Sequence, residues 1–381
     1  MSLMFDAVSE TSRTAAIETA RLRSLGWLAT LQVPGEPRGV MRISAAQDHT
    51  RWPGVSLYGT YNGIMCLDLI GGLAGFSEAE RTALVTWLEA HRRPDGIVRV
   101  PGMTEEAVFK KADRDETWRY IDFHVTNYTL GALDVLDPGR RPNLAFVEPF
   151  LDPLTLKAWL ADRDLNDPWQ EGNNIVNLAG FFLLLRRDGD AAIKARVDAA
   201  LEILYGWHDR NREPSTGFWG VGQLSDATRL LHAFAGSMHN FHIWYHEGRI
   251  PAAFDRSVNY VLSLPPRVDS ACIDVDAVDV LVHGLVLLDY RRDDICRWLS
   301  TLLDALLADQ NGDGGFCDVR TGTRRQDGWV RGYEEPQGLS NTFATWFRWI
   351  TIAMIADVLF PGRWNWRFRR MIGIGYRLGA R

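Results

Sequence analysis

Two kinds of helical segment alternate six times along this chain of 381 residues. In the first kind, charged residues separate apolar stripes, which is the pattern of a helix with one face in water. These amphipathic segments cover residues 11–32, 77–93, 153–163, 189–209, 251–263 and 293–310. The segments between them are apolar nearly all round, as buried helices are. The alternation predicts an all-α fold, an (α/α)6 toroid in which six inner helices lie inside six outer helices.

Each apolar segment opens with a cluster of polar side chains. The six clusters are Tyr61 and Asn62; His124, Asn127 and Tyr128; Asn173, Asn174 and Asn177; His239, Asn240 and His242; Asp274, Asp276 and Asp279; and Asn341 with Thr342. One Asn, Asp or Thr at a helix start would merely cap unpaired backbone N–H groups. Capping does not explain histidines, tyrosines and paired asparagines at successive starts. The sequence therefore predicts that the starts of the inner helices share one polar pocket.

Composition restricts the partners and the compartment. The formal net charge is −6 and the pI is near 5.9, whereas a nucleic-acid-binding protein needs a basic face. The four cysteines are scattered without a C-x-x-C pair. No basic-then-apolar leader opens the chain, and no uncharged apolar run reaches the roughly 20 residues that span a bilayer. We expect a cytoplasmic protein that binds no nucleic acid, cofactor or resident metal.

The end of the chain differs from the rest. We expect a single toroid domain over residues 1–360 and a basic, aromatic tail over residues 361–381. The tail has no acidic residue and carries the arginines Arg363, Arg367, Arg369, Arg370, Arg377 and Arg381. Such a segment either lies on an anionic membrane surface, here through residues 363–377, or docks on an acidic part of the barrel. The sequence leaves both alternatives open.

Two short stretches resemble a known superfamily. The turn LLADQNGDGGF at 306–316 and the buried segment DFHVTNYTLGAL at 122–133 resemble the repeat of the terpenoid cyclase and protein prenyltransferase α/α-toroids. The stretch CIDVDAVDVLV at 272–282 is similar to the D-x-D-D motif of class II terpenoid cyclases, with Ala277 in place of the last Asp. This resemblance implies acid-initiated cyclisation or isomerisation of an isoprenoid, with Asp276 as the proton donor. The prenyltransferase zinc site, an Asp and a Cys two residues apart with a later His, is disfavoured, because the comparable pair here is Asp274 and Asp276 and the next inner helix opens with Asn341.

The three aspartates are the first candidates for proton chemistry. Asp276 and Asp279 are three residues apart and share a helix face with His283. Crowded carboxylates do not readily both ionise, so one of them retains a proton near neutral pH. A retained proton suits a general acid acting on an alkene or on a glycosidic oxygen. Alternatively, Asp274 caps its helix and the other two bond neighbouring backbone groups.

The histidines form the second candidate set. His239 and His242 lie on one stripe with His232 and His246, and either of the first two can carry protons or contact the substrate. A metal at this spacing lacks a carboxylate partner in the sequence. His124 is either a base, a neutral donor or a hydrogen-bonded core residue. We expect catalysis to involve Asp276, Asp274, Asp279, His239 and His124.

Amides and aromatic residues complete the predicted pocket. Amides cannot exchange protons but can orient a polar ligand, and aromatic faces stabilise carbocations or stack on sugar rings. The expected substrate-binding residues are Tyr61, Asn62, Asn127, Tyr128, Asn173, Asn174, Asn177, His242, Trp219, Trp329, Tyr333 and Asn341.

Three hypotheses on function follow from these patterns. The first is an isoprenoid cyclase or isomerase, which the motif resemblance favours. The second is a carbohydrate-active hydrolase or lyase that uses the same aspartates and histidines, which the amides favour. The third is a non-catalytic binding toroid. In each of them the partner is a small molecule, either an isoprenoid or a saccharide.

Overall fold

The computed structural model describes residues 7–100, 116–220, 226–321, 325–326, 330 and 333–379. Within these residues, six outer helices are α1 (Ala7–Thr30), α3 (Glu78–Glu89), α5 (Pro153–Ala161), α7 (Ala191–Asn211), α9 (Phe254–Ser263) and α11 (Arg292–Ala308). They alternate with the inner helices α2 (Val55–Leu69), α4 (Glu116–Leu136), α6 (Pro168–Asp188), α8 (Ala227–His246), α10 (Ala271–Leu288) and α12 (Thr342–Leu359). Short 3-10 helices lie at Gly72–Gly75 and Ala145–Leu151. A two-stranded antiparallel ribbon pairs β1 (Arg325–Gln326) with β2 (Glu334–Glu335).

The inner helices form a closed ring. Each of them contacts the next inner helix in chain order, and α12 returns to contact α2. The outer helices pack behind this ring, for example α3 against α4, α7 against α6 and α9 against α10. The predicted all-α toroid of six inner and six outer helices is therefore confirmed. The alternation reveals the fold because a helix that is apolar all round must be covered on every side.

Glycines allow the tightest helix contact in the ring, between α6 and α8. A Cβ atom on Gly236 of α8 would lie 2.0 Å from the carbonyl oxygen of Pro168, and one on Gly172 of α6 would lie 2.2 Å from the carbonyl oxygen of Gly236. Neither position can hold a side chain unless the backbones separate. This close approach brings the polar residues of α6 and α8 to the same region of the ring.

The polar clusters lie deeper than the sequence indicated. Only Asp274, in the first turn of α10, and Asn341 and Thr342, at the start of α12, lie at helix starts. Tyr61, His124 and His239 lie a turn or more inside α2, α4 and α8. These inner helices begin earlier than the sequence indicated, because the residues before each cluster already continue the helix.

The segment after α12 closes one end of the ring. The backbone N–H of Gly373 donates to His242 Nδ1 at 3.0 Å, and that of Leu378 donates to His283 Nε2 at 3.2 Å. Arg369 donates to the carbonyl oxygen of Asn127 at 2.7 Å. This segment therefore docks on the barrel, which is one of the two alternatives left open by the sequence.

Docking buries the apolar residues of the tail. Met371, Ile372 and Ile374 are buried, so these apolar side chains face the protein. Membrane contact through residues 363–377 would need apolar side chains that face outwards. The contact itself and the domain division at residue 360 stay predictions. Among the described helices, α12 alone has the length and apolar composition of a membrane span, and 83% of that stretch is buried inside the protein.

Candidate active site

A cavity of about 350 Å³ lies within the ring of inner helices. Its volume falls at the lower end of the range of small-molecule sites. All six inner helices contribute side chains, and the tail forms part of its floor. The residues that line it are Tyr58, Tyr120, His124, Tyr128, Trp169, Asn173, His239, Ser270, Cys272, Asp276, Asp318, Phe343, Phe347 and Ile374.

Asp276 is the unusual acid of this cavity. Asp276 is the sixth residue of α10 and is only 1% exposed. Neither of its carboxyl oxygens has a hydrogen-bond partner among the described residues. Burial raises the pKa of Asp276 well above its ordinary value, and the nearby Asp279 and Asp274 raise it further. A carboxyl group in this environment stays protonated near neutral pH and can donate a hydrogen bond.

Asp279 lies one turn further along α10 and has a different environment. Its Oδ2 accepts a hydrogen bond from His242 Nε2 at 3.0 Å, and its Oδ1 lies 3.1 Å from His283 Nδ1. Burial opposes ionisation of Asp279, but these two imidazoles hold its pKa well below the ordinary value. Asp279 is therefore an anion fixed between two histidines, and it does not line the cavity.

Asp274 is bound to the structure around it. It forms a buried ion pair with Arg348 of α12 and accepts the backbone N–H of Asp269 at 3.1 Å. Burial raises the pKa of Asp274 to about 6, although Arg348 opposes the shift. Arg348 also donates to the carbonyl oxygen of Asp318 at 2.8 Å. This pair thus joins α10, α12 and the turn before α12, and of the three candidate aspartates only Asp276 faces the cavity.

Two neutral histidines face the cavity from different helices. Burial lowers the pKa of His124 on α4 to about 3, and the charge of Arg369 lowers it further. Burial likewise lowers the pKa of His239 on α8 to about 3. His124 packs on Tyr128, one turn along the same helix, with ring centroids 4.4 Å apart. Both imidazoles are therefore unprotonated and able to accept a proton.

The remaining predicted substrate residues separate into two groups. Asn173 lines the cavity and donates to the carbonyl oxygen of Trp169 at 3.0 Å. Tyr128 also lines the cavity, and the guanidinium of Arg369 lies 5.2 Å from its ring centroid on the side of the floor. The predicted residues that lie outside the lining are Tyr61, Asn62, Asn127, Asn174, Asn177, Trp219, His242, Tyr333 and Asn341.

Most of the outlying residues have structural partners. Asn62 donates to the carbonyl oxygen of Tyr58 at 3.0 Å, and Asn174 donates to Glu171 at 3.1 Å. Trp219 Nε1 donates to the carbonyl oxygen of His208 at 2.7 Å. The first two contacts lie within α2 and α6, and the third joins α7 to the turn that follows it. Trp329 lies outside the described residues.

Several cavity residues were missed at the level of sequence. Phe343 and Phe347 lie one turn apart on α12, so their spacing in NTFATWFRW is a signal that both face the same side. Asp318 ends the turn DQNGDGGFCD and accepts the backbone N–H of Ala271 at the start of α10 at 2.8 Å. No simple pattern marks Trp169 or Asp318 as cavity residues, because their positions depend on packing between distant segments.

Comparisons with known proteins give one informative likeness. No family model matches the chain, and no curated protein matches it. A solved structure of a polysaccharide lyase is similar to it, with a TM-score of 0.52 and 11% sequence identity, covering 93% of this chain and 99% of that one. The likeness shows the fold alone. The terpenoid cyclase superfamily finds no support in these comparisons.

The cavity combines two kinds of chemical group. Asp276, Tyr128 and Asn173 are neutral hydrogen-bond donors, and His124 and His239 are neutral proton acceptors. Neutral donors in a dry site stabilise negative charge that develops on an oxygen atom. Such a set is suited to removal of a proton from a carbon next to a carbonyl or carboxylate group. Among the described residues, no group of three or more His, Cys, Asp or Glu side chains is placed to hold a metal ion.

Proposed function

We propose that this protein is a carbohydrate-active lyase that cleaves a glycosidic bond at a uronic acid by β-elimination in the central cavity. In this reaction a base removes the proton from C5, next to the carboxylate. The electron pair forms the C4–C5 double bond, the C4–O4 bond breaks, and the leaving oxygen takes up a proton. The observation that carries the proposal is the buried carboxyl group of Asp276, which has no hydrogen-bond partner among the described residues and shares one cavity with neutral histidines.

Asp276 is the residue that recognises the substrate carboxylate. Its protonated carboxyl group donates a hydrogen bond to the uronate, whereas an ionised group would repel it. Asn173, which lines the same cavity from α6, supplies an amide N–H to the same carboxylate. As the C5 proton leaves, negative charge moves onto the carboxylate oxygens, and these donors stabilise it.

His124 and Tyr128 carry the proton transfers. Both lie on α4 one turn apart, so their side chains share a face of the helix. His124 is neutral before substrate binds and accepts the C5 proton. The bound uronate raises its pKa, because an adjacent negative charge favours the protonated imidazole. The Tyr128 hydroxyl gives its proton to the leaving oxygen and recovers one from His124 after the products leave.

The walls of the cavity suit a sugar ring. Trp169, Tyr58 and Tyr120 offer aromatic faces that stack on the apolar faces of sugars. Phe343 and Phe347 face the cavity from α12 and help to exclude water. Water exclusion strengthens the hydrogen bonds to the uronate and disfavours hydrolysis.

A glycoside hydrolase is the second candidate. The observation that favours it is Asp318, which places a second carboxyl group in the lining of the cavity that Asp276 faces. Glycoside hydrolases use such a pair, one acid and one carboxylate. The isoprenoid hypothesis ranks lower. It needs Asp274 and Asp279 as supports in the cavity, and these two are held by Arg348 and by histidines.

A substrate screen tests the proposal. Polymers and oligomers of glucuronate, galacturonate and mannuronate are incubated with the protein, with neutral glucans and isoprenoid diphosphates in parallel. Elimination gives an ultraviolet-absorbing unsaturated uronate whose mass is one water less than that of the hydrolysis product. We expect this product from at least one uronate and none from neutral glucans.

Variants locate the activity in the cavity. Asp276→Asn and His124→Ala should each reduce the elimination rate by about a hundredfold or more. Asp137→Asn, at an exposed aspartate beyond the end of α4, is the matched control and should leave the rate unchanged. Saturated products from uronate polymers would favour the hydrolase, and turnover of isoprenoids alone would restore the cyclase hypothesis.

A further inference from the structure

A second cleft, of about 510 Å³, lies beneath the tail near the carboxyl-terminal ends of α2 and α4. The charged residues in its lining are the arginines Arg367, Arg369, Arg370 and Arg377 and the acids Asp68 and Asp134. It shares no lining residue with the central cavity. The sequence singled out these arginines, and neither the fold nor the proposed reaction accounts for all of their donors.

The cleft has an excess of positive charge. Four arginines and two aspartates give a formal sum of +4 − 2 = +2 in the lining. The carboxyl-terminal ends of two helices contribute about −0.5 each, which leaves a net charge of about +1. Outside the lining, Arg187 pairs with Asp134 at 3.1 Å and Asp357 pairs with Arg377, and these two outside charges cancel. The ion pairs at the rim, such as Arg367 with Asp68 at 3.3 Å, are exposed and weak, so an incoming anion can compete with them.

Arg369 presents an unused donor to this cleft. Its side chain is buried, with 8% of the residue exposed, and its Nε has no hydrogen-bond partner among the described residues. Burial lowers its pKa to about 10, so it stays charged at neutral pH. A buried charged N–H without a partner costs free energy, which a ligand acceptor would recover. The Nε of Arg377 also lacks a partner within the described part of the chain.

Gly131 leaves room for the Arg369 guanidinium at the base of the cleft. It lies inside α4 and lines the cleft, and a Cβ atom at this position would lie 2.7 Å from Arg369 Nε and 2.9 Å from its Nη2. Any other residue would therefore push the guanidinium out of this position. Glycine lowers the stability of a helix interior by about 1 kcal/mol relative to alanine, so its presence here calls for a local reason.

We infer that this cleft is a binding site for a small oxyanion, a phosphate, sulfate or carboxylate group, held by Arg369 Nε at its base and by Arg367, Arg370 and Arg377 around it. Guanidinium groups form charge-assisted hydrogen bonds with such oxygens. The cleft shares no lining residue with the central cavity, so the inference does not depend on the proposed lyase chemistry.

Isothermal titration of the full chain with inorganic phosphate, at low ionic strength, tests the inference. Wild type should bind one phosphate saturably, and added salt should weaken the binding. Gly131→Ala keeps every charge but displaces the Arg369 guanidinium from the base of the cleft, and it should weaken binding by roughly tenfold or more. Alanine favours the helix, whereas its Cβ would press on the guanidinium, so circular dichroism and thermal unfolding will verify that the variant folds. Arg367→Gln should weaken binding several-fold.

Arg363→Gln is the matched control, since Arg363 is exposed on the same segment but does not line the cleft. Its affinity for phosphate should equal that of wild type. Competition separates the sources of the oxyanion: displacement of phosphate by sulfate alone indicates a tetrahedral anion, and displacement by glucuronate indicates the acid group of a saccharide. Absence of saturable binding to wild type, full affinity in Gly131→Ala, or equal losses in Arg363→Gln and Arg367→Gln would each overturn the inference.

Discussion

The state of the Asp276 carboxyl group has a measurable effect on folding. In the unfolded chain this group titrates near its ordinary pKa of 3.8, whereas in the folded protein burial raises its pKa well above that value. Folding at neutral pH therefore takes up a proton at this position. The contribution of Asp276 to stability is greatest below pH 3.8 and declines as pH rises towards the folded pKa. Asp276→Asn removes the titration and keeps the shape of the side chain.

The size of the effect follows from the pKa difference. Each pH unit above 3.8 lowers the stability of wild type by about 1.4 kcal/mol for as long as the folded carboxyl stays protonated. At pH 7 the sum is about 4 kcal/mol, an upper limit for the stabilisation of Asp276→Asn over wild type. Between pH 5 and pH 7 the difference between variant and wild type should grow by up to about 3 kcal/mol. Any hydrogen bond that the new amide of Asp276→Asn leaves unsatisfied lowers the stability of the variant equally at pH 5 and pH 7. It therefore leaves the change of the stability difference with pH unaltered.

Urea unfolding of both proteins at several pH values between 5 and 7 measures the slope. Asp137→Asn, at an exposed position, controls for a general change of charge and should show a difference from wild type that stays nearly flat. A difference for Asp276→Asn that does not change with pH would refute the reasoning, because it would mean that Asp276 is ionised in the folded protein. The same variant is expected to lose activity, so at this position stability and function are opposed.

Three further predictions rest on other features. Gly236→Ala should lower stability by about 3 kcal/mol or more in thermal unfolding, because its Cβ would meet a backbone carbonyl of α6. Its control is Gly26→Ala, which has open space around the new Cβ and should be neutral or stabilising by up to about 1 kcal/mol. Asp279→Asn should destabilise the protein at pH 7 by about 3 kcal/mol. Since the pKa of Asp279 is depressed in the folded state, that loss should shrink in urea unfolding as pH falls below 3.8, and a constant loss would contradict the assignment. The pH profile of kcat/KM for elimination, which reports on the free protein, should show no inflection near 6.5, because burial lowers the pKa of His124 to about 3. It should fall as pH rises through the raised pKa of Asp276. An inflection near 6.5 would argue against a buried neutral base.

The fold could be predicted from the sequence because it depends on local patterns. The stripe on each outer helix and the fully apolar inner helices are visible within single segments, such as RRDDICRWLSTLLDALLADQ at 291–310. The depth of the polar clusters could not be predicted in the same way. His239 lies beyond the middle of α8 because residues 227–238 extend the helix, which becomes evident only when those residues pack between α6 and α10.

The candidate site was predictable in part. His124, Tyr128, Asn173, His239 and Asp276 face the central cavity, and their roles in catalysis stay predictions. Three aspartates in one motif are equivalent at the level of sequence. They become unequal only through partners that are distant along the chain.

The partners of the other two aspartates show the limit of motif reasoning. Arg348 on α12 holds Asp274, and His242 on α8 holds Asp279. The docked tail was also only one of two alternatives, since its acidic partners, such as Asp134 for Arg370 at 2.9 Å, come from the ends of inner helices. Pairings of this kind depend on tertiary structure that a motif does not encode.

The most direct test of the central claim is a crystal structure of Asp276→Asn with a uronate disaccharide bound, since this variant should retain the ligand without cleaving it. The account predicts that the sugar occupies the central cavity, with its carboxylate within hydrogen-bond distance of residue 276 and Asn173 and with C5 facing His124. A disaccharide bound outside this cavity, or one whose carboxylate points away from residue 276, would contradict it.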